Sequence, residues 1–379
     1  MKKEEKKYQV CSNCVMDTSD SKIVFDKKGM CDHCHNFYEN IEPNWNPEGN
    51  PEELQKLIDK IKKDGKGKKY DCLIGLSGGV DSSYVAYCAI KKWGLRPLIF
   101  AVDTCWNLEV ANKNVEKIIN KLGVDVYYEK INHDEMMDLQ LAFFKSQVPY
   151  QDTPQDHNIF AALYNFAAKN GFKHILTGGN YSTECVREPN EWVHENDITL
   201  IKDIHKKFGK KSLDHLQLCG MFKYRLYYRY FKGVQLHKVL DLIRYKKNEA
   251  IDELKREFNW EPYANKHFES IFTRFYEGYW LPKKFGYDKR RAHFSSLILT
   301  GQLDRKEALE ILKNPPYSEE IAMQDMEFIC KEMGISIEEF KKLMEQENKT
   351  YKDYKNGYKY IHWARNLAKL FGIEKRNIR

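Results

Sequence analysis

The chain is predicted to be an α/β protein: a doubly wound parallel sheet of about five strands, preceded by a four-cysteine metal module and followed by a helical domain. Three observations carry this. From residue 70 to about 260, short apolar runs alternate with helix-spaced segments, as in a parallel sheet wound by helices. Two Cys-x-x-Cys pairs lie within the first forty residues. Beyond Trp260 the chain is aromatic and helix-spaced, with no strand signal.

At 379 residues, 42% of them hydrophobic, there is material for two or three domains with real cores. No apolar run is long enough for a membrane span. Met1 to Lys7 is charged and lacks an apolar core, so no secretory signal is expected. Ten cysteines without such a signal point to a reducing cytoplasm and to thiols used for metal or chemistry. A net charge of +7 suits an anionic small molecule as well as RNA and does not decide between them.

The elements follow in order. Cys11-Ser12-Asn13-Cys14 and Cys31-Asp32-His33-Cys34 are sixteen residues apart, the spacing of a closed four-thiolate site. Zinc (Zn2+) is the expected ion, with an iron–sulfur cluster as the alternative. The module is assigned to 1–44 and a linker helix to 45–66, starting at Pro51. Strands are expected at Tyr70 to Gly75, Arg96 to Asp103, Asp125 to Ile131, Lys173 to Thr177 and Val239 to Arg244. Helices are expected at Tyr84 to Trp93, Glu109 to Lys121, Asp134 to Val148, Asn158 to Lys169 and Asn248 to Phe258. A helical insertion at about 186–235 has its clearest member at Asp197 to Phe208. The sheet domain spans 67–260, and the C-terminal domain 261–379.

The most informative stretch is Gly75-Leu76-Ser77-Gly78-Gly79-Val80-Asp81-Ser82-Ser83. Two glycines let the backbone approach a ligand, and the helix that follows points its first N–H groups at an anion. Hydroxyls and one carboxylate in that turn fit a magnesium-bound pyrophosphate. No Gly-Lys-Ser/Thr triplet follows, so it is not a Walker A loop. The run resembles the PP-loop of the ATP pyrophosphatase superfamily (HUP, adenine nucleotide α-hydrolase-like), whose members split ATP between the α and β phosphates. On that resemblance Ser77, Gly78, Gly79, Ser82 and Ser83 hold the triphosphate, Asp81 binds Mg2+, and Ala101 and Val102 meet the adenine. Gly178, Gly179 and Asn180, ending the fourth strand, lie under the ribose at the switch point.

Two further stretches stand out. Gln155-Asp156-His157 precedes the helix expected at Asn158, with Asp156 either a cap or a site residue. Tyr279 to His293 mixes cations with aromatics, and its arginines suit a carboxylate or phosphate. With the cysteine pairs, the loop, Thr177-Gly178-Gly179-Asn180 and Lys289-Arg290-Arg291-Ala292-His293, the chain resembles the N-acetyl sugar amidotransferase family. That family acts in O-antigen assembly and in pseudaminic or legionaminic acid modification of flagella. The resemblance implies conversion of a sugar acetamido group to an acetamidino group, with ATP and glutamine-derived ammonia. It implies Asp81, Ser77 and Lys289 as catalytic residues, with Arg290, Arg291, His293 and Asp156 around an acidic amino sugar or nucleotide sugar. No glutaminase motif is visible, so a separate glutaminase subunit, with or without a barrel-type channel protein, is the expected partner. Neither membrane nor nucleic acid is expected as one. The rival readings are a tRNA-thiolating PP-loop enzyme using Cys105 and Cys185, and a non-catalytic RNA binder using the cationic aromatic run Lys223 to Lys232.

Overall fold

A computed structural model describes residues 7–189, 192, 197–263, 265–266, 268–360 and 363. Five strands form one parallel sheet: β1 (Cys72–Gly75), β2 (Pro97–Asp103), β3 (Val126–Lys130), β4 (His174–Thr177) and β5 (Gln235–Lys238). Their order is β3-β2-β1-β4-β5, so the winding reverses between β1 and β4. Alternating side chains explain why the central strands read as unbroken apolar runs. Ile74, Ile99 and Leu176 face helices 80–87, 109–122 and 247–258, while Leu73, Phe100 and Ile175 face helix 153–169. Both faces are covered, as parallel sheets require.

The expected fifth strand is misplaced. Gln235–Lys238 pairs with His174–Thr177, whereas Val239–Leu242 is a 3-10 turn. β5 is an edge strand of mostly polar residues. The apolar pattern pointed instead to Val239 and Leu240, which are buried in the turn that follows. The helix expected from Asn158 begins at Thr153, with Pro154 in its first turn, a position proline favours because its missing N–H bonds nothing there. Gln155, Asp156 and His157 are therefore inside a helix, and Asp156 does not cap it. In the insertion, helix 198–208 forms as expected, capped by Asp197, and a second helical stretch covers Lys223–Phe231.

Past the sheet, helix 271–275 runs into a wider-wound stretch, 276–285. Phe272, Trp280 and Phe340 pack there with Phe144 of helix 133–146 in a separate aromatic core. The cysteine module packs on Cys185, Val186 and Ala292. No helix among the described residues is long and apolar enough to cross a membrane.

Candidate active site

The loop after β1 is shaped by close contacts. Gly78 has φ +86°, and a Cβ there would come within 2.8 Å of the Ala111 carbonyl oxygen. Its own carbonyl accepts from Trp260 Nε1 and Tyr263 Oη, both at 3.1 Å. Ser77 Oγ and Ser82 Oγ lie 3.2 Å apart, and Ser77 Oγ accepts the Gly79 N–H. The following helix starts at Val80. At the end of β4, a Cβ on Gly178 would sit 2.8 Å from the backbone carbonyl carbon of Asp81, so this strand end touches the first turn of the helix that follows β1.

These ends open on a cavity of about 610 Å³. Ser77, Gly79, Asp81, Ser82, Val102, Gly178 and Gly179 line it. Gly78 supports the loop from behind. Ser83 is fully buried, Ala101 lies within the sheet, and the Asn180 side chain caps the next turn through Thr183 N at 2.8 Å. None of these three is among the lining residues.

Asp81 is held from two sides. Tyr245 Oη donates to one oxygen, and Lys266 Nζ is 3.4 Å from the other and 2.6 Å from Glu184. Burial pulls the Lys266 ammonium down, but Glu184 and Asp81 outweigh it and hold it above the ordinary range. Lys247, also lining the cavity, is lowered by burial. Glu269 faces Gly79, where an added Cβ would meet Glu269 Oε1 at 3.0 Å, and burial raises its carboxyl. Asp81 and Glu269 thus place two carboxyl groups at the glycine turn, a donor set suited to a hard divalent ion such as magnesium.

A second group of charges lines the same cavity: Asp152, Asp156, Glu277 and Lys289. Lys289 Nζ binds Glu277 at 2.5 Å and Glu188 at 3.0 Å. Burial drives Glu277 up to about 7 against the pull of Lys289, and it raises Asp152 and Asp156 as well. Tyr150 Oη donates to Asp156 at 2.8 Å. Sequence reading picked Lys289 and Asp156 but missed Asp152, Glu277, Lys247, Lys266, Glu269 and Tyr245. The density of charge and aromatics over residues 245–289 hinted at all of them but Asp152.

The arginines go elsewhere, contrary to expectation. Arg290 Nη2 is 2.6 Å from Asp288 and donates to the Asn314 carbonyl at 2.7 Å. Arg291 binds Asp17 at 3.0 Å and donates to the Val15 carbonyl at 2.8 Å. Both forks are filled inside the chain, and neither arginine nor His293 lines the cavity. Arg291 serves the cysteine module, as does Arg305, which donates to the carbonyls of Cys11 and Cys14.

In that module Cys11, Cys14, Cys31 and Cys34 converge, their sulfurs all within 4.8 Å of one another. Three of the Sγ–Sγ separations are 3.8, 3.6 and 3.7 Å. A tetrahedral ion with bonds of about 2.3 Å requires edges of about 3.8 Å. The set fits one such ion, with backbone N–H groups of Cys14 and Cys31 aimed at Cys11 Sγ. Cys105 and Cys185 are not brought to the cavity; Cys185 is buried against Ser296 and Ala292.

The loop from Ser77 to Ser83 thus follows β1 at the switch point of the parallel sheet. Residues 269–368 match the family described as "LPS biosynthesis protein WbpG-like, C-terminal domain". Over 252 residues the chain is 24% identical to an uncharacterized protein of Methanocaldococcus jannaschii, covering 62% of this chain and 87% of that one. Two solved structures are similar in part. One is an NH3-dependent NAD synthetase from Campylobacter jejuni, with 17% identity and a TM-score of 0.27, covering 35% of this chain and 57% of that one. The other is an NMN synthetase from Francisella tularensis, with 18% identity and a TM-score of 0.28, covering 59% and 100%. The chain thus spans little more than half of that NAD synthetase.

Proposed function

We propose that the protein is an ATP-dependent, AMP-forming amidotransferase that converts a sugar N-acetyl group to an acetamidino group in bacterial surface or flagellin glycan biosynthesis. One observation carries the reading: the phosphate-binding loop shares its cavity with Lys289, Glu277 and Asp152. Two of these, Glu277 and Lys289, lie in the segment that matches the LPS biosynthesis family. An amide oxygen is a poor leaving group. Its attack on the α-phosphorus of ATP expels pyrophosphate and leaves an O-adenylated imidate. Ammonia adds to that carbon, AMP departs, and a proton is lost.

The protein's contribution is position and charge. The loop N–H groups and Ser77 and Ser82 hydroxyls hold phosphate oxygens, and Lys247 and Lys266 face the charge of the leaving pyrophosphate. Asp81, with Glu269 beside it, would hold Mg2+, which neutralises phosphate charge when bound. Lys289, kept charged by Glu188 and Glu277, would face the substrate. Zinc in the four-thiolate module is structural, since its four ligands leave no open position. Ammonia comes from a separate glutaminase subunit, and the reaction is cytoplasmic.

Mass spectrometry of N-acetylated nucleotide sugars and free nonulosonic acids, incubated with the protein, ATP and ammonium, tests the reading. The expected product is lighter by about one dalton, as O is exchanged for NH, with AMP and pyrophosphate formed in equal amounts. ADP as the nucleotide product, or unchanged sugar from every acceptor, would refute it.

A further inference from the structure

The stretch Lys223–Phe231 is wound more widely than an α-helix, and the Lys232 N–H closes it on the Tyr227 carbonyl. Its inward side is aromatic and tied down. Tyr224 and Tyr228 pack on Tyr164 of helix 153–169, and Tyr228 Oη donates to Asn165. Its outward side is apolar too. Phe222, Leu226, Tyr227, Tyr230 and Phe231 are all exposed, the two phenylalanines at 77% and 80%. Elsewhere among the described residues, exposed large apolar side chains stand singly or in pairs along the chain. Five within ten residues form a patch that calls for a partner. Cations flank it. Lys223 Nζ and Lys232 Nζ each lie 5.6 Å from a ring centroid, of Tyr228 and Tyr227 respectively, and the Arg229 guanidinium lies 5.7 Å from that of Tyr230. None of the three pairs with a carboxylate among the described residues, and no acidic residue occurs between Asp214 and Asp241.

We propose that residues 222–232 dock the protein on a bilayer that carries anionic phospholipid. The apolar ridge enters the boundary between headgroups and acyl chains, and Lys223, Arg229 and Lys232 meet the headgroup phosphates. Such a surface complements the patch twice, in its apolar area and in its charge. An RNA strand matches it less well. Bases need open ring faces to stack on, whereas Tyr227 and Tyr230 each carry one of the chain's own cations over the ring, and Leu226 offers no ring at all. A second copy would set like charges against each other, since a two-fold contact pairs a patch with itself. Sequence reading attached this run only to an RNA-binding rival and expected no membrane; the division of its aromatics into an inward and an outward side comes from the fold. The docking stretch and the cavity share helix 153–169. Phe160 lines the cavity, and Tyr164, which anchors the stretch, is one turn further on, about 6 Å along the axis. Docking does not depend on the reaction proposed for that cavity.

Vesicle flotation of the full chain tests this, using phosphatidylcholine alone and phosphatidylcholine with about one third phosphatidylglycerol. Saturable binding is expected on the mixed vesicles and should be about tenfold weaker, or more, on phosphatidylcholine alone. The Arg229→Gln, Lys232→Gln variant and the Phe222→Ser, Phe231→Ser variant should each lose binding to mixed vesicles by a similar factor. Both should keep the melting temperature of the unaltered chain, because only exposed side chains are changed. No binding to mixed vesicles, or undiminished binding by both variants, overturns the site. So does a dimer that the phenylalanine variant splits into monomers, which would make the ridge a contact between copies. Tighter binding to polyuridylate than to mixed vesicles, lost in the same variant, would make it an RNA face instead. If both variants melt early, the lipid preference of the unaltered chain decides.

Discussion

Lys289, Arg290 and Arg291 are consecutive, yet their charges go to three places: the cavity, a local turn and the cysteine module. The basic run was visible in sequence, but its division was not. The partners Glu188, Asp288 and Asp17 are set by the fold, and Asp17 lies far away in the chain. Arg291→Lys should consequently spare ATP and sugar affinity. The loss of one arm of its grip on Asp17 and Val15 should cost about 1–3 kcal/mol of stability and speed metal release to a chelator. A rise in sugar KM with unchanged metal release would return Arg291 to the substrate. Asp81→Asn keeps an acceptor for Tyr245 but removes the negative charge. Circular dichroism should be unchanged while pyrophosphate release falls by two orders of magnitude or more, roughly the scale of removing one preorganised electrostatic group. Release within tenfold of normal would take Asp81 out of the reaction.

Among the elements, β1, β2 and β4 were legible because both their faces are apolar. β5 was not, since an edge strand carries little of that signal. What holds β5 is polar. His174 Nε2 lies 2.9 Å from Asp64, and His174 Nδ1 lies 3.0 Å from His237 Nε2. Asp64 can only accept, so His174 donates through Nε2 and accepts at Nδ1 from His237, and both rings are neutral. Burial first, and His174 second, push His237 down to about 4; burial also lowers His174. A depressed folded value means that the unfolded chain binds the proton more readily. The stabilisation is complete above the ordinary histidine value of about 6.5 and lost as pH falls through about 4. Stability measured by denaturant should drop across that window, with a slope reduced by up to about one proton in His237→Asn. An identical slope in the variant would exclude this pair as its source.

At the scale of the whole molecule, the sheet, its switch point and the four-cysteine module were all readable from spacing, because each depends on short-range pattern. The cavity wall was readable only in part: its glycine turns, Asp156 and Lys289 were picked, while Asp152, Lys247, Lys266, Glu269 and Glu277 were not. Its residues, from Ser77 to Lys289, meet only through the fold. Purified protein should carry one zinc per chain, and Cys14→Ser or Cys31→Ser should lose it together with folding stability; iron with labile sulfide would contradict this. Because Cys105 and Cys185 stand away from the cavity, the Cys105→Ala, Cys185→Ala double variant should still form the acetamidino product from ammonium and ATP. A folded but inactive double variant would revive sulfur transfer. The contact between Gly178 and the backbone at Asp81 has a reach of its own. The two positions are separated by nearly a hundred residues, a stretch of chain that can lengthen, shorten or be rewritten on its outer surface. The pair itself has no such freedom. Divergence in this fold must run around that point of touch, and any drift at the end of β4 has to be matched by the first turn of the helix at Val80.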